Sequence, residues 1–226
     1  MPKYYPIMLN VRDRQAIVIG GDALAAQKAA ALVQCGARVT AISPGFSGEL
    51  RAQAARQEVK LLSKAYEPGD LAGAFVVVAA TSDPEIIEQV WQETQERGQL
   101  VNIVDVPARC NFILPSILRR GQLTIAVSTE GASPSLAKRI RQQLEGIFPP
   151  AYDRYMQLAT VARTLLREKG VSYDQRDRFF GDFFISEILH LLSEGNEGEA
   201  LTITVRLLEQ HGVATTTETL ATRLAE

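Results

Sequence analysis

The first half of the chain alternates between short runs of β-type apolar residues and helical stretches that carry one apolar face. Strands are predicted at 16–19, 38–42, 59–62, 75–80 and 100–104. The run FVVVAA at 75–80 is apolar throughout, which is typical of a strand buried on both faces of a parallel sheet. Helices are predicted between the strands, at 23–34, at 46–57 and from Pro84 to the residues before Gly98. This β-α-β order predicts an α/β fold with a Rossmann-like parallel sheet.

The pattern changes after Pro107, where the alternation of strands and helices stops. Two β segments, 112–117 and 123–127, flank Arg119-Arg120-Gly121 and predict a hairpin with the two arginines at its tip. A helix is predicted to follow, because Ser133-Pro134 has the residue types of an N-cap and a first helical position.

Only helices are predicted beyond Pro149-Pro150, where we place a domain boundary. They lie near 151–168, 174–193, 197–210 and 216–225. Two of them are predicted to begin with capping boxes, at 172–175 and 215–218. The phenylalanines at 179, 180, 183 and 184 are interpreted as core or dimer contacts, with a stacking surface for a porphyrinoid as the alternative.

A glycine turn links the first strand to the first helix, Gly20-Gly21-Asp22-Ala23-Leu24-Ala25. In a Rossmann domain this turn receives the pyrophosphate of a dinucleotide, because the helix N-terminus offers N–H groups and the positive end of its dipole. Together with Ser43-Pro44 after the second strand and Thr81 after a later one, the turn is the predicted cofactor site. Ser43-Pro44 contains no acid for a ribose hydroxyl, so the choice between NAD and NADP stays open.

Asp22 departs from the Rossmann fingerprint, which has glycine here so that phosphate can approach the backbone. A carboxylate about 4 Å from a phosphate costs on the order of 4 kcal/mol at an effective dielectric near 20. Asp22 could also cap the helix and take the place of the anion. The turn alone therefore leaves two interpretations open, a dinucleotide site and an ordinary tight turn of a doubly wound sheet.

The composition and net charge of the chain exclude only a few classes of protein. The chain has 226 residues, 46% hydrophobic and 22% charged, with a formal net charge of -2. This balance argues against a general nucleic-acid binder, whose footprint would be basic. Without a long apolar run or a secretory signal, and with Cys35 and Cys110 as separate thiols, we expect a cytoplasmic protein with no membrane span and no resident metal.

A set of motifs follows in a fixed order along residues 5–150. The most specific are VNIVD-VPARC-NFILP at 101–115 and AVSTEGASP at 126–134. They come after the glycine turn, GARVT at 36–40 and AAT at 79–81. In this ordered set the chain resembles the precorrin-2 dehydrogenase / sirohydrochlorin ferrochelatase family, the siroheme-forming module. Residues beyond 150 match that family only in being helical.

The resemblance implies a division of the chain and an activity. It implies a Rossmann domain at 1–111, a small β-α dimerisation region at 112–149 and a helical domain at 150–226, assembled as a homodimer. It also implies oxidation of precorrin-2 to sirohydrochlorin with NAD, and in some members insertion of Fe2+. The key acid of the family matches Asp105.

Asp105 follows a buried strand, at the sheet edge where ligands of open α/β sheets bind. Dehydrogenation of precorrin-2 removes a hydride and a proton, and metal insertion removes pyrrole N–H protons, so both need a positioned base. A carboxylate can serve where burial raises its pKa, so we expect Asp105 to be the catalytic residue and to be shielded from water. The alternative is a loop or N-cap aspartate.

Precorrin-2 carries eight carboxylates, so a site for it should be basic. One segment of the chain, 119–141, has five basic residues against the single acid Glu130: Arg119, Arg120, Lys138, Arg139 and Arg141. The predicted substrate contacts are Arg119, Arg120, Asn102, Ser128 and Thr129. The alternative is a solvated surface for the arginines and backbone hydrogen bonds at strand ends for the other three.

Three functions remain open on the sequence. The first is an NAD-dependent precorrin-2 dehydrogenase, with or without Fe2+ chelation. The second is a family member that has lost NAD binding and acts as a chelatase only or as a tetrapyrrole-binding protein; Asp22 favours it, as does Ile87, which stands where the family usually has asparagine. The third is a regulatory Rossmann dimer that senses a ligand.

Overall fold

The computed structural model describes residues 3–225 and divides into two compact units after Leu114. This division lies close to the boundary expected at 111. The hairpin region and the helices that follow it belong to one unit, and their separation at 149 stays a prediction.

The first unit is a five-stranded parallel sheet in the order β3-β2-β1-β4-β5. Its strands are β1 Gln15–Ile19, β2 Arg38–Ser43, β3 Val59–Ser63, β4 Val76–Ala79 and β5 Leu100–Ile103. The connecting helices are α1 Ala23–Gln34, α2 Gly48–Ala55 and α3 Pro84–Glu96. The predicted Rossmann-like α/β sheet is confirmed, and its strand order reverses between β1 and β4.

Burial explains why the central strands of this sheet read as apolar runs. Residues 16–19 of β1 and all four residues of β4 are buried, because hydrophobic clusters cover both faces. On one face α1 contributes Ala25, Ala26 and Ala29, all buried, and such small side chains let the helix approach the strands closely. The sheet is therefore a rigid base for the loops at its carboxyl edge.

The second unit combines an antiparallel hairpin with six helices. The hairpin strands are β6 Ser116–Arg120 and β7 Leu123–Val127, paired so that Arg120 faces Leu123. The helices are α4 Pro134–Ile147, α5 Tyr152–Glu168, α6 Tyr173–Ile185, α7 Ile188–Ser193, α8 Glu197–Gln210 and α9 Thr217–Ala225. A core of Phe179, Phe180, Phe183 and their apolar neighbours joins α5 to α9. Core packing is thereby confirmed for three of the four phenylalanines, and Phe184 is exposed.

The first hairpin strand was predicted too early, at 112–117. The observed β6 runs from Ser116, which pairs with Val127, to Arg120, which pairs with Leu123. This pairing leaves only Gly121 and Gln122 for the turn. Gly121 has a φ of 54°, a conformation that glycine adopts at low cost. The placement of Arg119 and Arg120 at the hairpin tip is therefore wrong; both lie within the strand.

Two predicted helix features also need correction. The helix expected at 174–193 is broken, because Ser186 is extended and its hydroxyl donates to Phe183 O at 2.7 Å. The capping box at Ser172 is confirmed, because the backbone N–H of Gln175 donates to the Ser172 hydroxyl. The box expected at Thr215 is wrong, since the last helix is capped by the Thr216 hydroxyl, which accepts from Thr219 N.

None of the helices within residues 3–225 combines the length and the apolar character that a membrane span requires.

Candidate active site

The loops at the carboxyl edge of the first sheet bring several predicted site residues together. Ile19 lies beside Ile42 and Ala79, and Ala79 lies beside Ile103, so four strands end at the same level. The loops that start there carry the glycine turn, Ser43-Pro44, Thr81 and Asp105. Ligands of open α/β sheets bind at this edge where the strand order reverses, which here is the crevice between β1 and β4.

Both glycines of the turn are required by close approach of the backbone. A Cβ on Gly20, whose φ is 131°, would lie 2.4 Å from Ala80 O at the end of β4. A Cβ on Gly21 would lie 1.8 Å from Gly45 O, in the loop that follows β2. That loop is also tied to the turn by a hydrogen bond of 2.6 Å from Ser47 N to Gly21 O. Ser43 and Pro44 therefore lie next to the glycine turn, as the predicted cofactor site requires.

Asp22 caps helix α1. Its Oδ1 accepts the Ala25 N–H at 2.8 Å, and its side chain is exposed. Within residues 3–225 no acceptor is found for the N–H groups of Ala23 and Leu24, the first two residues of the helix. The capping interpretation is confirmed. A phosphate at this helix would meet two N–H donors together with the carboxylate of Asp22.

The Thr81 side chain is hydrogen-bonded to the residue that precedes α3. Its hydroxyl accepts from Asp83 N at 3.2 Å, and Asp83 in turn caps the helix by accepting from Glu85 N and Ile86 N. With Asp83 as its N-cap, α3 begins at Pro84, which is the predicted start of this helix. Thr81 thus shapes the loop beside the crevice, while its contact with a cofactor stays a prediction.

Asp105 lies two residues beyond β5 in the left-handed region, with a φ of 60°. A residue other than glycine in this conformation is uncommon, and such strain concentrates at functional sites. β5 is two strands away from β1, which places its end about 10 Å from the glycine turn at the usual strand spacing. The side chain is exposed, so the expectation that the fold shields Asp105 from water is wrong for the single chain.

The Cys110 thiol holds the turn that carries Asp105, a role that the sequence analysis missed. Its sulfur accepts from Ile103 N at 3.2 Å and lies 3.3 Å from the carbonyl oxygens of Ile103 and Val106. Burial raises the pKa of the thiol, more than the hydrogen bond from the Ile103 backbone lowers it, so the group remains a donor at neutral pH. The only sequence signal for this role is the position of the cysteine, shortly after Asp105.

Two asparagines close the free edge of β5. Asn111 pairs with Val101 through its backbone N–H and its side-chain oxygen, and its amide nitrogen donates to Gln99 O. Asn102 donates to Phe112 O at 3.1 Å. Asn102 therefore makes the backbone contact that was the alternative interpretation, and its role in substrate binding stays a prediction.

The remaining predicted substrate residues belong to the second unit. Ser128 Oγ accepts from Glu130 N and Thr129 Oγ1 accepts from Ser133 N, both at 3.0 Å, so they shape the turn before α4. Arg120 Nε donates to Phe148 O at 2.9 Å. Arg119 is exposed on β6. Substrate contact by these four residues stays a prediction.

Comparison with known proteins gives two family models that match consecutive parts of the chain. Residues 7–116 match the family described as "Putative NAD(P)-binding", and residues 120–147 match the family described as "Sirohaem biosynthesis protein central". The first match covers the Rossmann sheet and its glycine turn, and the second covers β7 and α4. The fold and these matches together define a Rossmann protein similar to the putative NAD(P)-binding class. Its Rossmann sheet is followed by a segment similar to the central region of sirohaem biosynthesis proteins.

Two of the similar curated proteins are both named siroheme synthase. The siroheme synthase of Methylobacillus flagellatus is 36% identical over 195 residues, 86% of this chain and 42% of that protein. The siroheme synthase of Pseudomonas aeruginosa is 35% identical over 208 residues, 92% of this chain and 44% of that protein. This chain thus spans about two fifths of the length of the curated relatives that it matches.

A solved structure titled "SirC, precorrin-2 dehydrogenase" superimposes with a TM-score of 0.76 at 28% identity, covering 89% of this chain and 98% of that one. The ordered motifs predicted a resemblance to the precorrin-2 dehydrogenase / sirohydrochlorin ferrochelatase family, and the two family models, the relatives and the solved structure all support that resemblance.

Proposed function

We propose that this protein oxidises precorrin-2 to sirohydrochlorin with NAD as the oxidant, in siroheme biosynthesis. The observation that carries the proposal is the match to the precorrin-2 dehydrogenase structure over nearly the whole of that chain. The similarity to siroheme synthases supports the same pathway. Those relatives are more than twice as long as this chain, so an activity of the part of their length that it does not match is not transferred to it.

The residues at the crevice suit a dinucleotide, with one departure. Gly20 and Gly21 let the turn pack closely against the loops that follow β4 and β2, and the N–H groups of Ala23 and Leu24 can donate to a pyrophosphate. Asp22 opposes this, because its carboxylate stands at the same helix end. The carboxylate is exposed, so solvent and ions screen its repulsion and the site is weakened rather than abolished.

The role of Asp105 is to take the proton that the substrate releases. Bound NAD would supply the acceptor for the hydride, which would carry two electrons from the substrate. The proton released with it would go to the Asp105 carboxylate. The Cys110 contacts on either side of Asp105 keep the carboxylate at the sheet edge. Since Asp105 is exposed in the single chain, exclusion of water falls to the substrate or to a second subunit.

Homodimer formation and Fe2+ insertion belong to the same proposal. The hairpin and α4 expose three large apolar side chains, Ile117, Leu136 and Ile147, which suits a self-association surface. Iron would enter as a substrate, with Asp105 as the base for the pyrrole protons. Within residues 3–225 no group of three His, Cys, Asp or Glu side chains is arranged to hold a metal ion.

The test is turnover of precorrin-2 by the whole protein with and without NAD+. We expect sirohydrochlorin to form only when NAD+ is present. Asp105→Asn is expected to lower kcat about a hundredfold or more, the usual contribution of a general base, while the far-UV circular dichroism stays unchanged. Asp83→Asn is the matched control, because it also removes a carboxylate from this sheet edge but keeps a capping residue type.

Failure of turnover would favour the second candidate function, a protein of this kind that has lost NAD binding and acts as a chelatase only or binds tetrapyrroles. The helix cap made by Asp22 supports this candidate. In that case NAD+ produces no thermal shift, and sirohydrochlorin with Fe2+ alone changes its absorbance as metal is inserted. Full activity of Asp105→Asn would refute the role of Asp105 in either reaction.

A further inference from the structure

The helical part of the second unit carries a surface pocket lined by Phe180 and Phe184, two of the phenylalanines for which a porphyrinoid stacking surface was the alternative interpretation. It has a volume of about 450 Å³ and lies between α5 and α6. Its α6 wall follows helical spacing along one stripe: Tyr173, Arg176, Asp177, Phe180 and Phe184. Its α5 wall is formed by Arg163 and Arg167, one turn apart. A pocket of this size suits a small molecule or one edge of a larger one.

The charge of the pocket is positive in a chain that is acidic overall. Three arginines face one acid, Asp177. Within residues 3–225, Arg163, Arg167 and Arg176 form no ion pair, whereas Arg154 in the same unit pairs with Glu197. Like charges one turn apart on a helix repel each other, so Arg163 and Arg167 together are unfavourable until an anion lies between them. The pocket therefore favours a ligand with more than one negative group.

Aromatic rings form the rest of the surface. Phe180 and Phe184 stack at 5.5 Å with an interplanar angle of 27°, and the Arg163 guanidinium lies 4.7 Å from the centre of the Phe180 ring. Phe184 is 52% exposed and Tyr173 is 74% exposed. Planar rings and a guanidinium beside them suit a flat, unsaturated ligand, which gains from stacking as well as from charge.

We propose that this pocket binds one edge of a carboxylate-bearing tetrapyrrole, with Arg163 and Arg167 on the carboxylates and Phe184 against the ring. This inference rests on the proposed function for the identity of the ligand, since a flat macrocycle with carboxylates around its rim has both required features. It assigns to the helical region, for which the sequence motifs gave no function, a part in holding substrate or product.

The experiment is a binding titration of the whole protein with uroporphyrin I, a stable octacarboxylate porphyrin, followed by fluorescence. We expect Arg163→Ala with Arg167→Ala to weaken binding about tenfold, which corresponds to about 1.4 kcal/mol. The matched control is Arg178→Ala with Arg206→Ala, which removes the same charge from exposed positions of α6 and α8. An equal loss in the control pair, or no loss in either, would overturn the proposal.

A second comparison tests the ring contact. Phe184→Ala is expected to weaken uroporphyrin binding several-fold, whereas Ile185→Ala, at the neighbouring and more exposed position, is expected to leave it unchanged. Displacement of uroporphyrin by polyglutamate as effectively as by coproporphyrin I would mean that the pocket takes acidic peptide, and would also refute the proposal. Both readouts measure binding without NAD+, so they separate failure of this pocket from failure of the dehydrogenase.

Discussion

At the scale of single residues, the proposed dinucleotide site has its main departure from the Rossmann fingerprint at Asp22. Its carboxylate accepts the Ala25 N–H at the end of α1 that a pyrophosphate would approach. Two effects are combined in this side chain: negative charge, which repels phosphate, and the cap itself, which uses one donor. They can be separated because asparagine keeps the cap and loses the charge, while glycine loses both.

We expect Asp22→Asn and Asp22→Gly both to bind NAD+ about tenfold more tightly than the unmodified chain, which corresponds to about 1.4 kcal/mol. The reason is removal of the negative charge at the helix N-terminus. Isothermal titration at low and at high salt measures the effect, which should shrink as salt screens the charge. Tightening by glycine alone would show that the cap, and not its charge, limits binding; unchanged affinity in both variants would exclude either explanation.

At the scale of secondary structure, one buried carboxylate fastens the loop between β3 and β4 to helix α3. Glu93 is 7% exposed and accepts hydrogen bonds from Tyr66 Oη at 2.7 Å, from the N–H of Gly69 at 2.9 Å and from Arg97 Nε at 2.9 Å. Burial acts to raise the pKa of Glu93, but the hydrogen bonds from Tyr66, Gly69 and Arg97 outweigh it and the pKa is lowered. The ionised carboxylate is therefore part of the folded structure.

We expect Glu93→Gln to lower the free energy of unfolding at pH 7 by about 2–3 kcal/mol, because it removes hydrogen bonds to a charged acceptor. Urea unfolding measures the loss, and Glu96→Gln on the exposed side of α3 is the control, expected to change stability by less than about 0.5 kcal/mol. A loss in the control equal to that in Glu93→Gln would contradict the assigned role.

The same residue gives a pH dependence with a defined sign. Since the pKa of Glu93 is lower in the folded than in the unfolded chain, its stabilisation is fully present above the unfolded value of 4.5 and is lost as the pH falls through the folded value. The difference in stability between the unmodified chain and Glu93→Gln should therefore be constant above pH 4.5 and shrink below it. A difference that persists unchanged in acid would count against this explanation.

At the scale of the whole molecule, the second unit contains an element that is incomplete by itself. Within the described residues β6 and β7 form a sheet of only two strands, so each has an edge with unpaired backbone groups. The hairpin packs against α4 through the buried Leu118, but its other face exposes Ile117 to 40%. A second copy of the chain would supply a strand to pair with a free edge of the hairpin, and it would also cover the exposed apolar side chain of Ile117.

We expect the protein to sediment as a dimer and Ile117→Asp to shift it towards the monomer, because a charge on the exposed face of β6 would be buried by the partner. Ile185→Asp, at an 85% exposed position of α6, is the control and should remain dimeric. Sedimentation equilibrium over a range of concentrations measures the change. A monomer at all concentrations in the unmodified chain would remove the dimer from the proposed function.

The sequence alone determined those features of the protein that depend on local pattern. Helix α1 has the predicted bounds, and the buried strands were found because their apolar runs reflect cover on both faces. The ordered motifs, which combine the glycine turn with the segment around Asp105, predicted the similarity that the comparisons then found. These signals lie within short stretches of chain, and neighbouring residues are enough to produce them.

Tertiary structure decided what depends on residues far apart in sequence. Strand pairing, not residue type, moved β6 and placed Arg119 and Arg120 within it. Contacts between β5 and the returning chain gave Cys110 and Asn102 their partners, while Asp105 was left exposed. Burial and hydrogen bonding are properties of the assembled fold, because the partner of a side chain is fixed only when distant segments meet.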